Sequence, residues 1–188
     1  MKKAFVFMAD GFEEIEALAT VDILRRGGIA TRMVSNTESL LVTGAHHIGV
    51  QADMSFSAFA AAGAGVEDVL VFPGGLPGAQ HLADNGVLMD IMRRHDAEGG
   101  LVAAICAAPG LVVAQLDTLQ DKKFTCYTGF EPALLAKGAV HTSEPAVISG
   151  NLVTGRGPGC AIAFGLAILQ AACGKAVAQQ VSDGMLVE

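Results

Sequence analysis

Cys106 is the residue of this 188-residue chain whose surroundings point most directly to chemistry. It follows the apolar run Leu101-Val-Ala-Ala-Ile105 and precedes Ala107-Ala-Pro-Gly110. Such a run is typical of a strand buried on both faces of a parallel sheet, whereas proline is tolerated in the first turn of a helix. We therefore predict a strand-to-helix turn at Cys106, where free helical N–H groups and the helix dipole favour a thiolate. An unreactive core cysteine is the alternative, because free cysteines are often buried.

A second candidate segment is acidic. Asp10-Gly-Phe-Glu13 resembles a capping box that opens a helix, and its first turn carries Glu13, Glu14 and Glu16. Interaction with the helix dipole accounts for two of these carboxylates. Glu16 lies one turn into the helix, after a strand whose carboxyl end should face the region where open α/β sheets bind ligands. We therefore expect Glu16 to lie near this ligand-binding region.

A third segment, Pro73-Gly-Gly75, ends the predicted strand Val66–Phe72. The proline stops the strand ladder, and the two glycines allow positive φ angles and the close approach of a ligand. Successive N–H groups in such a turn form an anion-binding nest. An ordinary glycine turn remains the alternative, and the nearby cysteine strand favours the binding site.

The elements that must position these segments predict an α/β fold. Lys3–Ala9, the helix after it and Ile29–Ser35 form a β-α-β unit, which implies a parallel sheet. Hairpins are predicted about Gly44 and about Ser149-Gly-Asn151. The remaining predicted elements are helices over 58–65, 85–98, 111–116, 160–173 and 175–183, and a short strand over 123–126. The expected inward faces of the two long amphipathic helices are Ile15, Leu18, Ala19 and Ile23, and Val87, Leu88, Ile91 and Met92, with His81 and His95 at the surface or at helix caps.

Composition limits the function classes. The chain is 52% hydrophobic and 16% charged, with a net charge of -7 and no basic run, which disfavours nucleic-acid binding. No apolar run is long enough to cross a membrane, so we expect a cytoplasmic protein with one domain over 1–188. Cys106, Cys126, Cys160 and Cys173 lack CxxC spacing and are expected to be free thiols, with no metal site. Adjacent His46 and His47 point different ways on a strand, which also disfavours a metal pair.

Four segments together resemble the ThiJ/PfpI superfamily, in the branch of the Parkinson-associated deglycase and its bacterial counterparts. They are Ala9-Asp-Gly-Phe-Glu-Glu-Ile-Glu16, Pro73-Gly-Gly75, Ala104-Ile-Cys-Ala-Ala-Pro109 and Arg156-Gly-Pro-Gly159. The resemblance covers nearly the whole chain. It implies a flavodoxin-like three-layer sandwich, with a mostly parallel central sheet and helices on both faces, and a homodimer.

The resemblance also implies roles for individual residues. Cys106 corresponds to the family's nucleophile and Glu16 to the acid that hydrogen-bonds its sulfur. Gly74, Gly75 and Ala107 correspond to backbone donors that face the cysteine. The residues expected to line the pocket are Glu14, Tyr127, Arg156 and Pro158. Two departures disfavour a protease: Ala107 follows the cysteine where the proteolytic branch has histidine, and Tyr127 stands where some relatives carry a histidine.

The implied activity is the cofactor-independent conversion of 2-oxoaldehydes such as methylglyoxal, or their adducts on amines, thiols or proteins, to hydroxy acids. No redox cofactor is needed, because one carbon is oxidised while its neighbour is reduced. Two alternatives stay open. One is a non-enzymatic oxidative-stress sensor or redox chaperone that uses oxidisable Cys106. The other is a glutamine amidotransferase-like hydrolase, which needs a histidine base; His141 is the least unsuitable of the five histidines.

Overall fold

The computed structural model describes residues 2–187 and has a central sheet of six strands in the order β2-β1-β5-β6-β10-β9. Every neighbouring pair is parallel except β10 with β9. The strands are β1 (Lys3–Met8), β2 (Ala30–Ser35), β5 (Val69–Phe72), β6 (Leu101–Ile105), β9 (Ala146–Ser149) and β10 (Leu152–Gly155). Two small sheets pair β3 (Leu41–Thr43) with β4 (Gly49–Gln51) and β7 (Lys123–Phe124) with β8 (Val140–His141). The predicted mostly parallel α/β fold and both hairpins are confirmed.

Helices cover both faces of this sheet and complete a three-layer sandwich. They are α1 (Glu14–Arg26), α2 (Phe56–Ala62), α3 (Gly78–Ala83), α4 (Gly86–Ala97), α5 (Ala108–Leu111), α6 (Pro132–Leu135), α7 (Ala161–Cys173) and α8 (Lys175–Gly184). Helices α1, α7 and α8 pack against one another in one layer. On the other face, Phe59 of α2 contacts Phe5 and Phe7 of β1 edge to face. Among residues 2–187, no helix combines the length and the apolar character needed to cross a membrane.

The first helix is rotated relative to the sequence prediction. Ile23 is buried as expected, but Ile15 is 59% exposed and Leu18 is 36% exposed. The buried side of α1 instead carries Glu16, two turns before Ile23, and Thr20, one turn before it. Because one face of a helix recurs at a spacing of three or four residues, an inward Glu16 turns Ile15 and Leu18 towards solvent.

The start of α1 also differs from the prediction. The N-cap is Glu13, whose side chain accepts the N–H of Glu16 at 2.8 Å. Asp10 does not cap the helix; its carboxylate accepts the N–H of Thr43 at 2.8 Å and so ties the β3–β4 hairpin to the end of β1. The helix therefore begins one turn later than a cap at Asp10 predicts.

Four smaller expectations are wrong. Val87 is 58% exposed, because α4 buries Leu88, Met89 and Met92 instead. His95 is buried rather than superficial. The predicted strand over 123–126 ends at Phe124, and the predicted helix over 111–116 is the end of α5 followed by a 3-10 turn over Val113–Gln115.

The loops that follow β1 and β5 pack backbone against backbone at the carboxyl end of the sheet. The N–H of Glu13 donates to the carbonyl of Gly74 at 3.0 Å. Glycine is required at this contact, since a Cβ on Gly78 would lie 2.4 Å from the backbone nitrogen of Phe12. These contacts fix the distance between the start of α1 and the glycine turn.

Gly78→Ala should destabilise the protein by about 1–3 kcal/mol, as an overpacked contact with unyielding backbone does. Gly86→Ala is the matched control, because Gly86 also begins a helix but has nothing within 4 Å of its would-be Cβ. That change should leave stability unaltered or raise it by up to about 1 kcal/mol through helix propensity. Urea denaturation of both variants measures the difference, and equal stabilities would contradict the proposed contact.

Candidate active site around Cys106

Cys106 lies on the predicted strand-to-helix turn in a strained backbone conformation. Strand β6 ends at Ile105 and α5 begins at Ala108. Between them Cys106 has φ 65°, in the left-handed region that non-glycine residues rarely occupy. Its N–H donates to the carbonyl of Gly155 at 3.0 Å, and its own carbonyl accepts the N–H of Tyr127 at 2.8 Å. Two neighbouring segments therefore hold the turn in a conformation that costs free energy, which is a common feature of functional sites.

Glu16 approaches Cys106 from α1 and is fully buried. One carboxyl oxygen, Oε2, accepts the N–H of Gly74 at 2.7 Å. The other, Oε1, is buried and makes no hydrogen bond of good geometry with the described residues. A Cβ on Gly74 would lie 2.5 Å from the Cβ of Cys106 and 2.7 Å from Glu16 Oε2, so all three residues meet at one point. Only a glycine leaves room for the acid beside the cysteine.

Burial raises the pKa of both ionisable groups. Burial is the main reason that the pKa of Glu16 rises from 4.5 to about 7, and the charge of Glu13 adds to it; hydrogen bonds from Gly74 and Cys106 oppose it. Burial also raises the pKa of the Cys106 thiol to about 12, together with the charge and the hydrogen bond of Glu16. The expected thiolate, with a lowered pKa, is therefore wrong for the resting site. At neutral pH the thiol keeps its proton, and Glu16 is close to half-protonated.

Two backbone donors, Gly75 and Ala107, face the sulfur, whereas the third expected donor, Gly74, gives its N–H to Glu16 instead. Hydrogen bonds from the N–H groups of Gly75 and Ala107 act to lower the pKa of the thiol, against the larger effects of burial and of Glu16. Gly75 has φ 84°, and a Cβ there would lie 2.4 Å from the nitrogen of Glu13. Cys106 itself keeps 9% of its surface exposed. Cys106 is thus almost completely buried, with its sulfur among polar groups.

The remaining expected pocket residues divide into two groups. Tyr127 is joined to Cys106 through the backbone and is the nearest side chain to the would-be Cβ of Gly157. Gly157 is flanked by Arg156, whose guanidinium donates to the carbonyl of Ser143 at 3.5 Å, and by half-buried Pro158. Tyr127, Arg156 and Pro158 therefore lie on the two segments whose backbones hydrogen-bond to Cys106.

Glu14, in contrast, makes its side-chain hydrogen bonds with the β3–β4 hairpin. Its carboxylate accepts the backbone N–H of His46 at 2.7 Å and contacts the His46 ring nitrogen at 2.8 Å. It fastens the β3–β4 hairpin to the start of α1.

Sequence reasoning missed the part that Glu13 plays at the site. Its carboxylate caps α1 and raises the pKa of Glu16. The signal was present as the Glu13-x-x-Glu16 spacing, which places a side-chain acceptor three residues before a helical N–H. The Asp10-x-x-Glu13 spacing, which also matches a capping box, led to the predicted cap at Asp10.

Comparisons with known proteins agree with this geometry. A model of the DJ-1/PfpI family matches residues 2–171. Protein dj-1beta of Drosophila melanogaster is 35% identical over 186 residues, which cover 99% of this chain and 97% of that protein. The glutathione-independent glyoxalase DJR-1.2 of Caenorhabditis elegans is 31% identical over 162 residues, covering 84% and 81%. The structure of oxidized Toxoplasma gondii DJ-1 matches with a TM-score of 0.90 and 31% identity, covering 99% of this chain and 98% of that one.

The raised pKa of Glu16 predicts a pH-dependent stability. Because the folded-state pKa of about 7 exceeds the ordinary value of 4.5, the neutral carboxyl group stabilises the fold fully below pH 4.5. That contribution, about 3 kcal/mol at most, is lost as the pH rises through about 7. Glu16→Gln lacks the titration, so its unfolding free energy relative to wild type should increase between pH 5 and about 8. Parallel pH profiles in urea denaturation would contradict a buried, titrating Glu16.

Proposed function

Because this chain belongs to the DJ-1/PfpI family, we propose that it converts 2-oxoaldehydes such as methylglyoxal, or their adducts on amines and thiols, to hydroxy acids. The observation that carries this proposal is the placement of Cys106, on a strained turn, beside a buried carboxyl group whose pKa is raised to about 7. Such a pKa suits a group that accepts and returns protons at neutral pH. Cys106 acts as the nucleophile and Glu16 as the acid–base group.

In the first step the sulfur of Cys106 attacks the aldehyde carbon and forms an S–C bond. The Glu16 carboxylate takes the thiol proton as the bond forms, which removes the energetic cost of a free thiolate. The carbonyl electron pair moves to oxygen, where the N–H groups of Gly75 and Ala107 are close enough to the sulfur to stabilise the charge. Glu16 then returns its proton to that oxygen and leaves a neutral hemithioacetal.

The second step moves hydrogen between the two substrate carbons. Glu16, again ionised, removes the proton from the carbon bonded to sulfur, and the neighbouring carbonyl becomes an enol as its oxygen gains a proton. Return of the proton from Glu16 to this second carbon, with loss of the hydroxyl proton from the first, gives a 2-hydroxy thioester. One carbon is oxidised and its neighbour is reduced, so the step balances without a redox cofactor.

In the third step water hydrolyses the thioester. The C–S bond breaks, the carboxylic acid leaves as lactate and the sulfur regains a proton, so the net reaction is methylglyoxal plus water to lactate. The relative from C. elegans that is named a glutathione-independent glyoxalase supports this reaction class. A reducing compartment such as the cytoplasm suits it too, because all four cysteines are free thiols in the structure.

Redox sensing by Cys106 is the second candidate function. The structure of oxidized Toxoplasma gondii DJ-1, a relative of this chain, favours it, as do the two N–H donors, which would stabilise the oxygens of an oxidised sulfur. The raised pKa of the thiol opposes it, since thiolates are the species that peroxides oxidise. We therefore place catalysis first.

We also propose that the chain acts as a homodimer. Ile15 and Leu18 form an exposed apolar strip along α1, and exposed Ile48 lies on the hairpin that Glu14 fastens to the same helix. Large exposed apolar patches mark interaction surfaces. A second copy would cover this strip next to the loop that carries Glu13 and Glu16.

Cys106→Ala should abolish lactate formation from methylglyoxal, because no other group supplies the S–C bond. Glu16→Gln should lower kcat about 100-fold or more through loss of proton transfer. The matched control is Cys173→Ala, which removes an exposed thiol and should leave the rate unchanged. Chromatographic measurement of lactate tests all three variants. Full activity in Cys106→Ala would overturn the mechanism, and sulfinate at Cys106 after mild peroxide without any turnover would favour the sensor.

Leu18→Glu should shift the protein from dimer to monomer, because a charge on the apolar strip opposes burial by a second copy. Val87→Glu is the control, since Val87 is also apolar and exposed, at 58% against 36% for Leu18, but lies on α4. Light scattering after size-exclusion chromatography gives the mass of each variant. A wild-type monomer, or equal effects of both changes, would contradict an interface on α1.

A further inference from the structure

Cys126, Glu131 and His141 bring three different metal-ligand atoms together beside the candidate active site. The sulfur, one carboxylate oxygen and one imidazole nitrogen all lie within 4.8 Å of one another. Cys126 is buried, Glu131 is half-buried and His141 is exposed. The group therefore opens from the interior to the surface.

The small β7–β8 sheet creates this convergence. Phe124 pairs with His141 in the parallel ladder, and their rings pack with centroids 5.2 Å apart. Cys126 follows Phe124 by two residues, the spacing that returns a side chain to the same side of an extended chain. Glu131 reaches the group from the following turn, where its Oε2 accepts the N–H of Gly129 at 2.8 Å.

We propose that Cys126, Glu131 and His141 bind a divalent zinc ion. A thiolate, an imidazole and a carboxylate are the three ligand types that zinc takes in proteins. Bonds of about 2.0–2.3 Å in a tetrahedron separate ligand atoms by about 3.5 Å. Ligand atoms that lie up to 4.8 Å apart must therefore move about 1 Å closer together to bind the ion. Rotation of the exposed His141 ring can supply this movement.

Three protein ligands leave a fourth tetrahedral position free, and the exposure of His141 directs that position towards solvent. The site is also coupled to the elbow, because the N–H of Tyr127, the residue after Cys126, donates to the carbonyl of Cys106. An ion at Cys126 would therefore stiffen the segment that supports the strained turn. Zinc binding is a property separate from the proposed conversion of aldehydes, which needs no metal.

A second group with suitable ligand types, Glu13, Glu14 and His46, is explained without an ion. Glu14 uses both carboxylate oxygens on His46, and Glu13 caps α1. Because the carboxylates of this second group already make hydrogen bonds that hold the start of α1 and the hairpin, we assign no metal to it.

Zinc titration of the full-length reduced protein, in competition with a chromophoric chelator, tests the proposal. Wild type should bind one zinc ion per chain, and Cys126→Ser and His141→Ala should each weaken binding by more than about 100-fold, because loss of an outer-shell partner alone costs about 10–100-fold. His141→Ala changes an exposed side chain and avoids the risk that a core substitution unfolds the protein. The matched controls are Cys106→Ser and His81→Ala, which should retain wild-type affinity.

Cobalt substitution adds a spectroscopic readout. Co²⁺ at the site should give a thiolate-to-cobalt charge-transfer band that persists in Cys106→Ser and disappears in Cys126→Ser. Zinc affinity that survives both Cys126→Ser and His141→Ala would overturn the assignment. So would binding that is lost only in Cys106→Ser, since the ion would then lie at the catalytic thiol. Neither result depends on lactate formation, so the zinc site and the proposed activity fail independently.

Discussion

A single buried acid–thiol contact is the feature on which the candidate active site depends. Glu16 has no exposed surface, yet its helix is rotated so that the carboxyl group points inward, next to Cys106. An isolated buried carboxylate is costly, and the hydrogen bond from Gly74 offsets only part of that cost. The remaining cost raises the pKa of Glu16 to about 7. The fold thereby gives up stability at neutral pH and holds a mobile proton next to a sulfur.

The surrounding backbone makes that contact rigid. Cys106 is held in the left-handed region by hydrogen bonds from two different segments, one from the end of β10 and one from the loop after β7. Gly74 and Gly75 bring a third segment against the acid with no intervening side chain. Since each of these segments ends or follows a sheet strand, the parallel sheet determines where the donors and the acid meet.

Apolar runs and the residues that end them were sufficient to predict the two central strands of the site and the loops that follow them. Val69–Phe72 and Leu101–Ile105 are each buried almost throughout, so their sequences carry an unambiguous signal. The rotation of α1 was not predictable in this way, because it depends on a charged residue that takes an interior position at the expense of Ile15 and Leu18. Local periodicity assumes that apolar side chains face inward, and a functional acid breaks that assumption.

The thiol pKa and the grouping around Cys126 escaped prediction for a related reason. A strand-to-helix turn indicates a lowered thiol pKa through its N–H groups, and those groups are present. Burial and the Glu16 charge exceed them, and both depend on contacts between distant parts of the chain. The same holds for Cys126, Glu131 and His141, whose meeting depends on a two-residue strand pairing that no short motif encodes.

A raised thiol pKa has a consequence for the choice between catalysis and sensing. Each unit of increase lowers the thiolate fraction about tenfold at a fixed pH below the pKa, whereas the nucleophilicity of the thiolate that remains grows only about threefold. Cys106 should thus react slowly with solutes that merely collide with it. In the proposed reaction an aldehyde at Gly75 and Ala107 avoids this loss of reactivity, because Glu16 would accept the proton in the same event that forms the S–C bond. The raised pKa therefore favours the proposed catalysis over oxidation of Cys106 by free peroxides.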